Sequence, residues 1–256
     1  MMNRFQKAFS TADKVLNIYF TAGYPKIEDT RLILKELQDN GVDMVEIGMP
    51  FSDPLADGPT IQNSSGKALD NGMTISKLFE QLSDMRNEIN IPVVLMGYIN
   101  PILQYGVEKF CKSCKDVGVD GLILPDLPLN LYKKNYKSYF DRYGIKNVLL
   151  ITPQTSNERI KLIDEESNSF VYMVSTASTT GKADSDISIA KEYFDKVESL
   201  KLKNPRLIGF NVKDRETYDF ASSNSNGAII GSAFVKAISE EGDLKQNIQE
   251  FIKGIR

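Results

Sequence analysis

Short, β-rich apolar runs recur along the chain, with amphipathic segments between them. They start with VLNIYFT from Val15 and VDMVEIG from Val42, and continue through PVVLMGY from Pro92, VDGLILP from Val119 and NVLLIT from Asn147. FVYMVS from Phe170, RLIGF from Arg206 and GAIIG from Gly227 complete eight candidate strands. The segment KIEDTRLILKELQDNG places Ile27, Leu34 and Leu37 at spacings of seven and three and ends in Asn40-Gly41, as a helix C-terminus does. Similar helical patterns fill 74–88, 106–116, 130–143, 156–166, 187–201, 214–222 and 244–254. Alternating strands and helices predict right-handed βαβ units and a parallel sheet. Eight such units fit a closed (β/α)8 TIM barrel better than an open sheet. Asn40-Gly41-Val42, Val117-Gly118-Val119 and Asn226-Gly227-Ala228 each read as a helix-ending glycine directly before a strand. No Pro/Gly/Ser-rich linker interrupts the pattern, so residues 1–256 are expected to form a single barrel domain.

Composition narrows the chemistry. There is no histidine, which removes Ser-His-Asp, Cys-His and His-metal arrangements and leaves acid-base work to Asp, Glu, Tyr, Lys or Cys. The only cysteines, Cys111 and Cys114, lack the further ligands of a tetrahedral zinc site, so no metal is expected and the pair reads as two helix-facing thiols. A net charge of −3, with no basic run longer than Lys133-Lys134, gives no footprint for nucleic acid. The N-terminus lacks the apolar core of a signal peptide, and no apolar run approaches a membrane span. The protein is therefore expected in the cytoplasm.

In such a barrel the active site forms at the C-terminal strand ends. In VDMVEIG the period of two puts Val45 and Ile47 on one face and Met44 and Glu46 on the other. If the apolar pair packs under the helices, Glu46 points into the barrel near its mouth. The alternative is a carboxylate reaching water at the rim, but an inward Glu costs desolvation that function explains better. The segment from Met49 to Pro59 holds three prolines and a glycine and reads as a stiff loop carrying Asp53 and Asp57. Each is also a natural turn cap, yet a second carboxylate near Glu46 would set two different proton affinities.

A phosphate signal lies toward the C-terminus. Gly231-Ser232 opens a short helix after strand eight, where bare N–H groups bind anions. Gly209-Phe210-Asn211 follows strand seven, and Ser175 to Lys182 forms a small-residue loop after strand six. Gly-Ser is also a routine helix start, and the weight comes from three such loops at consecutive strand ends. No dinucleotide or P-loop motif is present.

The run from Glu46 to Gln62, EIGMPFSDPLADGPTIQ, resembles the signature of the tryptophan synthase alpha subunit family. The likeness extends to Thr21-Ala22-Gly23-Tyr24-Pro25, Leu95 to Pro101, Pro125-Asp126-Leu127-Pro128, the Tyr172 to Gly181 loop and Gly231-Ser232-Ala233. What the resemblance implies is retro-aldol cleavage of indole-3-glycerol phosphate. It implies Glu46 as the general acid-base, Asp57 as the partner of the indole N–H, and Tyr172 beside them. Gly181, Phe210, Asn211, Gly231 and Ser232 become phosphate contacts, Tyr19, Tyr98 and Thr180 the indole pocket and lid. It also implies an alpha2beta2 heterotetramer in which pyridoxal phosphate belongs only to the beta subunit, with Pro54, Asn100 and Leu103 on the docking surface. The chain departs from the family pattern at Asn211, where glycine is usual, at Thr176, Ser178 and Thr179 in the lid, and at Asn130 after strand four.

Two other readings are weighed beside the lyase. Indole-glycerol-phosphate synthase and phosphoribosylanthranilate isomerase lack the PFSDPLADGP loop. A non-catalytic phosphate-ligand barrel acting as the regulatory partner of a beta subunit would be expected to have lost Glu46 or Asp57, and both are present.

Overall fold

Alternate side chains of each strand divide between two apolar cores, and that division closes the sheet. The computed structural model describes residues 2–175, 183–209 and 211–256, with the side chains of 183–190 left out. Its strands are β1 (Val15–Thr21), β2 (Met44–Gly48), β3 (Val93–Met96), β4 (Gly121–Ile123), β5 (Lys146–Ile151), β6 (Val171–Val174), β7 (Arg206–Gly209) and β8 (Gly227–Ile230). They run parallel in chain order, and β8 pairs back onto β1 with Val15 opposite Gly227. The chain is a (β/α)8 TIM barrel.

Val45 and Ile47 pack outward in the core beneath the helices, with Leu16, Ile18, Leu95 and Ile208. Met44 points inward with Val15, Val94, Ile123, Val148, Leu207 and Ile229. A barrel interior built this way is a packed core and not a pore. Fully burying one such aliphatic side chain stabilises the fold by about 1.5–3 kcal/mol, so both layers resist a shift of register.

An unpredicted helix, Arg4–Thr11, closes the bottom of the barrel. Asn3 and Gln6 form its capping box, and Phe5 and Phe9 each approach the Phe170 ring at 6.1 Å between centroids. Arg4 Nη1 donates to Asp120 Oδ1 at 2.9 Å, while Asp120 Oδ2 accepts from Arg86 and from the Val93 N–H. Helices Pro59–Asp70 and Ile99–Tyr105 also went unread from the pattern.

Other expectations need correction. The segment 74–88 divides into a helix, Ile75–Gln81, and a single turn, Met85–Asn87. The segment 130–143 is interrupted by a wide turn over Tyr132–Tyr136. Gly41 and Gly118 end helices with φ of 85° and 84°, as expected. Gly227 does not: the preceding helix, Arg215–Ser223, ends earlier, and Gly227 opens β8 at φ 150°. A Cβ there would lie 2.1 Å from the Val15 carbonyl oxygen, so glycine permits the β1–β8 closure. Cys111 and Cys114 are buried on the helix Val107–Val117, and burial pushes the Cys111 thiol up to about 12.

Candidate active site

Glu46 stands one residue pair above Met44 in register with β1, opposite Tyr19, and no part of it reaches solvent. Its Oε1 accepts a hydrogen bond of 2.6 Å from Asn17 Nδ2, while Oε2 has no protein partner among the described residues. Removing a carboxylate from water without full compensation favours the neutral acid. Burial pushes Glu46 up to about 8, with the Asn17 hydrogen bond opposing the rise.

The proline-rich loop brings Asp57 to the same mouth. The Tyr98 hydroxyl, at the end of β3, donates to Asp57 Oδ2 and accepts from the Ala56 N–H, both at 3.0 Å. One side chain thus fixes both the loop backbone and the carboxylate it carries. Phe51 packs on the Tyr98 ring at 5.3 Å. Burial raises Asp57, and the Tyr98 hydrogen bond lowers it. Two carboxyls in different surroundings thus flank one opening, the arrangement that separates an acid from a charge stabiliser. Asp53 remains an exposed loop residue.

A cavity of about 650 Å³ joins these parts, lined by Tyr19, Glu46, Asp57 and Tyr172 together with Asn211, Gly231 and Ser232. Its size is that of a small-molecule site. Tyr172 on β6 lines the same cavity, and burial raises its phenol, as do the nearby charges of Glu46 and Asp57. It fits because β7 ends in glycine: a Cβ on Gly209 would lie 2.2 Å from the Tyr172 hydroxyl oxygen. Asn211 takes φ 60°, the left-handed conformation that a glycine would adopt freely and asparagine tolerates. Gly231 precedes the helix Ser232–Ala237 at the cavity wall.

Not every sequence expectation falls on this wall. Tyr98 lines a smaller adjoining pocket with Pro54 and Phe51 instead of the main cavity, and serves Asp57 from behind. Thr180, Gly181 and Phe210, with the lid positions Thr176, Ser178 and Thr179, lie outside the described residues. Asn100 and Leu103 are exposed on the helix after β3, Leu103 at 47%, and Leu55 in the proline-rich loop is 92% exposed. Asn17, Lys213 and Lys236 were not singled out in the sequence, although the last two line the cavity. For Asn17 the signal was available: period two puts it on the inward face of β1 with Tyr19.

Comparison with known proteins matches residues 5–254 to the family model for the tryptophan synthase alpha chain. A curated relative of that name from Christiangramia forsetii is 55% identical, over 100% of this chain and 99% of its own. A crystal structure of tryptophan synthase subunit alpha from Legionella pneumophila superposes with a TM-score of 0.90 at 30% identity, covering 100% of this chain and 97% of that one. A tryptophan synthase complex from Pyrococcus furiosus gives a TM-score of 0.85 at 35% identity, covering 95% and 98% of the two chains.

Proposed function

This chain belongs to the tryptophan synthase alpha chain family, and from that premise we propose that its barrel mouth cleaves indole-3-glycerol phosphate to indole and glyceraldehyde 3-phosphate. The observation that carries the reading is the Glu46 carboxyl, wholly buried on the wall of a cavity that Asp57 shares, where burial favours its neutral form.

Retro-aldol cleavage needs an acid first and a base second. Neutral Glu46 gives its proton to the indole ring carbon that bears the glycerol chain, leaving positive charge on the ring nitrogen. Asp57, held by Tyr98, accepts a hydrogen bond from the ring N–H and stabilises that charge. The Glu46 carboxylate then takes the proton of the adjacent side-chain hydroxyl. As the aldehyde C=O forms, the electrons of the breaking C–C bond return to the ring, and Glu46 is neutral again. Tyr172 and Tyr19 wall the indole, with Tyr98 supporting Asp57 and Thr180 the lid. Gly181, Phe210, Asn211, Gly231 and Ser232 hold the phosphate, in part through backbone N–H groups.

The Pyrococcus neighbour is a tryptophan synthase complex, and this supports a beta-subunit partner here, in an alpha2beta2 assembly where pyridoxal phosphate belongs to the beta subunit. Pro54, Asn100 and Leu103, with Leu55 beside them in the loop, form the docking face. Incubating the purified chain with indole-3-glycerol phosphate should release indole and glyceraldehyde 3-phosphate in equal amounts, faster when a beta subunit is added. Consumption of substrate without the aldehyde would contradict the retro-aldol step.

A further inference from the structure

Asn17 stands in a part of the barrel interior that is otherwise apolar. Its register partners are Met44 on β2 and Ile229 on β8, and all three are buried. Its Nδ2 donates to Glu46 Oε1 at 2.6 Å, and its own Oδ1 has no protein partner among the described residues. A buried amide left half satisfied is a burden on folding, and Asn17 caps no helix and supports no turn. The burden is explained if the bond to Glu46 serves the chemistry.

We infer that Asn17 is the positioning residue of Glu46, holding Oε1 in both protonation states so that Oε2 carries the catalytic proton. This rests on the acid-base role proposed for Glu46. An amide N–H can only donate, so the oxygen it binds is the carbonyl oxygen of the neutral acid or one oxygen of the carboxylate. The proton of the neutral acid therefore sits on Oε2, the oxygen without a protein partner, in a residue that lines the cavity while Asn17 does not. Proton departure and return then use the same atom, with no rotation of the carboxyl between the two steps. The same bond favours the charged form, so its removal makes Glu46 hold its proton to higher pH. The other titratable groups around Glu46 are Tyr19 on β1, Tyr172 on β6 and Asp57 in the loop after β2, with Lys213, Lys236 and Glu240 at the cavity wall.

Asn17→Leu keeps the number and branching of the side chain's heavy atoms, in a larger group, and removes the donor. Its kcat for indole release should fall about 10-fold, the effect of misdirecting one proton transfer, with KM for indole-3-glycerol phosphate within about 2-fold. The alkaline fall of its kcat/KM should move to higher pH, and its melting temperature should hold. The smaller Asn17→Val carries the same expectation without overfilling the layer. In a Glu46→Gln background, Asn17→Leu should remove no further activity. Wild-type kcat and an unmoved pH midpoint in both variants would overturn the inference, as would losses proportional to the unfolded fraction. Retained indole release in Glu46→Gln would instead overturn the role of Glu46 itself.

Discussion

Glu46→Gln is expected to lower indole release by about 10²-fold or more while leaving the affinity for an unreactive substrate analogue little changed. Glutamine preserves the volume and can still accept from Asn17 Nδ2, but it has no proton to give. Stability should move the other way. The Glu46 carboxyl rises from an ordinary 4.5 to about 8 on folding, so between those values the native state binds a proton that the unfolded chain has lost. Wild-type stability accordingly falls as pH climbs through that window, by on the order of 5 kcal/mol in full. Glu46→Gln lacks this term. Denaturant melts at pH 5 and pH 8.5 should therefore show the variant gaining on the wild type at the higher pH. A variant that melts early at both pH values, with normal turnover per folded molecule, would make Glu46 a structural residue.

The second large effect is expected at the phosphate wall. Gly231→Asp should weaken binding of glycerol phosphate by 100-fold or more, because it aims a negative charge at a dianion in a partly desolvated site. Space is not the obstacle: a Cβ on Gly231 would meet Tyr19 carbons at 3.6 Å, an ordinary contact. Gly231→Asn supplies the uncharged control and should bind far better than Gly231→Asp. Ser232→Ala, which removes one hydroxyl while keeping the backbone N–H, should cost only about 1 kcal/mol. Calorimetry that finds Gly231→Asp and wild type equal would remove the phosphate from this wall.

The features that repeat along the chain were the readable ones. Eight apolar runs returned as eight strands in chain order, and the period of two in VDMVEIG correctly aimed Met44 and Glu46 inward. Local glycine chemistry was legible at Gly41 and Gly118 but not at Gly227, whose need arises from Val15, far away in sequence and adjacent only once the barrel closes. The helix Arg4–Thr11 carried a readable capping box in Asn3 and Gln6, but eight residues give too few turns for a periodic signal. The wide turn at Tyr132–Tyr136 inserts a change of pitch that a hydrophobic pattern does not encode.

The site divides the same way. Glu46 and Asp57 lie in one motif and could be read together, whereas the hydroxyl that fixes Asp57 comes from Tyr98, just before the helix that follows β3. Asn17 was legible as an inward residue of β1 from the period of two, but not as the partner of Glu46. It is a polar residue in a strand where every position is buried, and only its contact with Glu46 distinguishes it from a tolerated asparagine.

The account turns on a carboxyl that begins the reaction protonated, and the pH dependence of kcat/KM reports the free enzyme's essential groups. The measurement is indole release by the wild-type chain from pH 7 to 9.5, above the range of about pH 6 where the substrate phosphate titrates. Tyr19 and Tyr172, both raised by burial, stay neutral across it. The predicted result is a fall in kcat/KM with a midpoint near 8 as Glu46 loses its proton. A profile that is flat or rising through this range, or no indole at any pH, would contradict it.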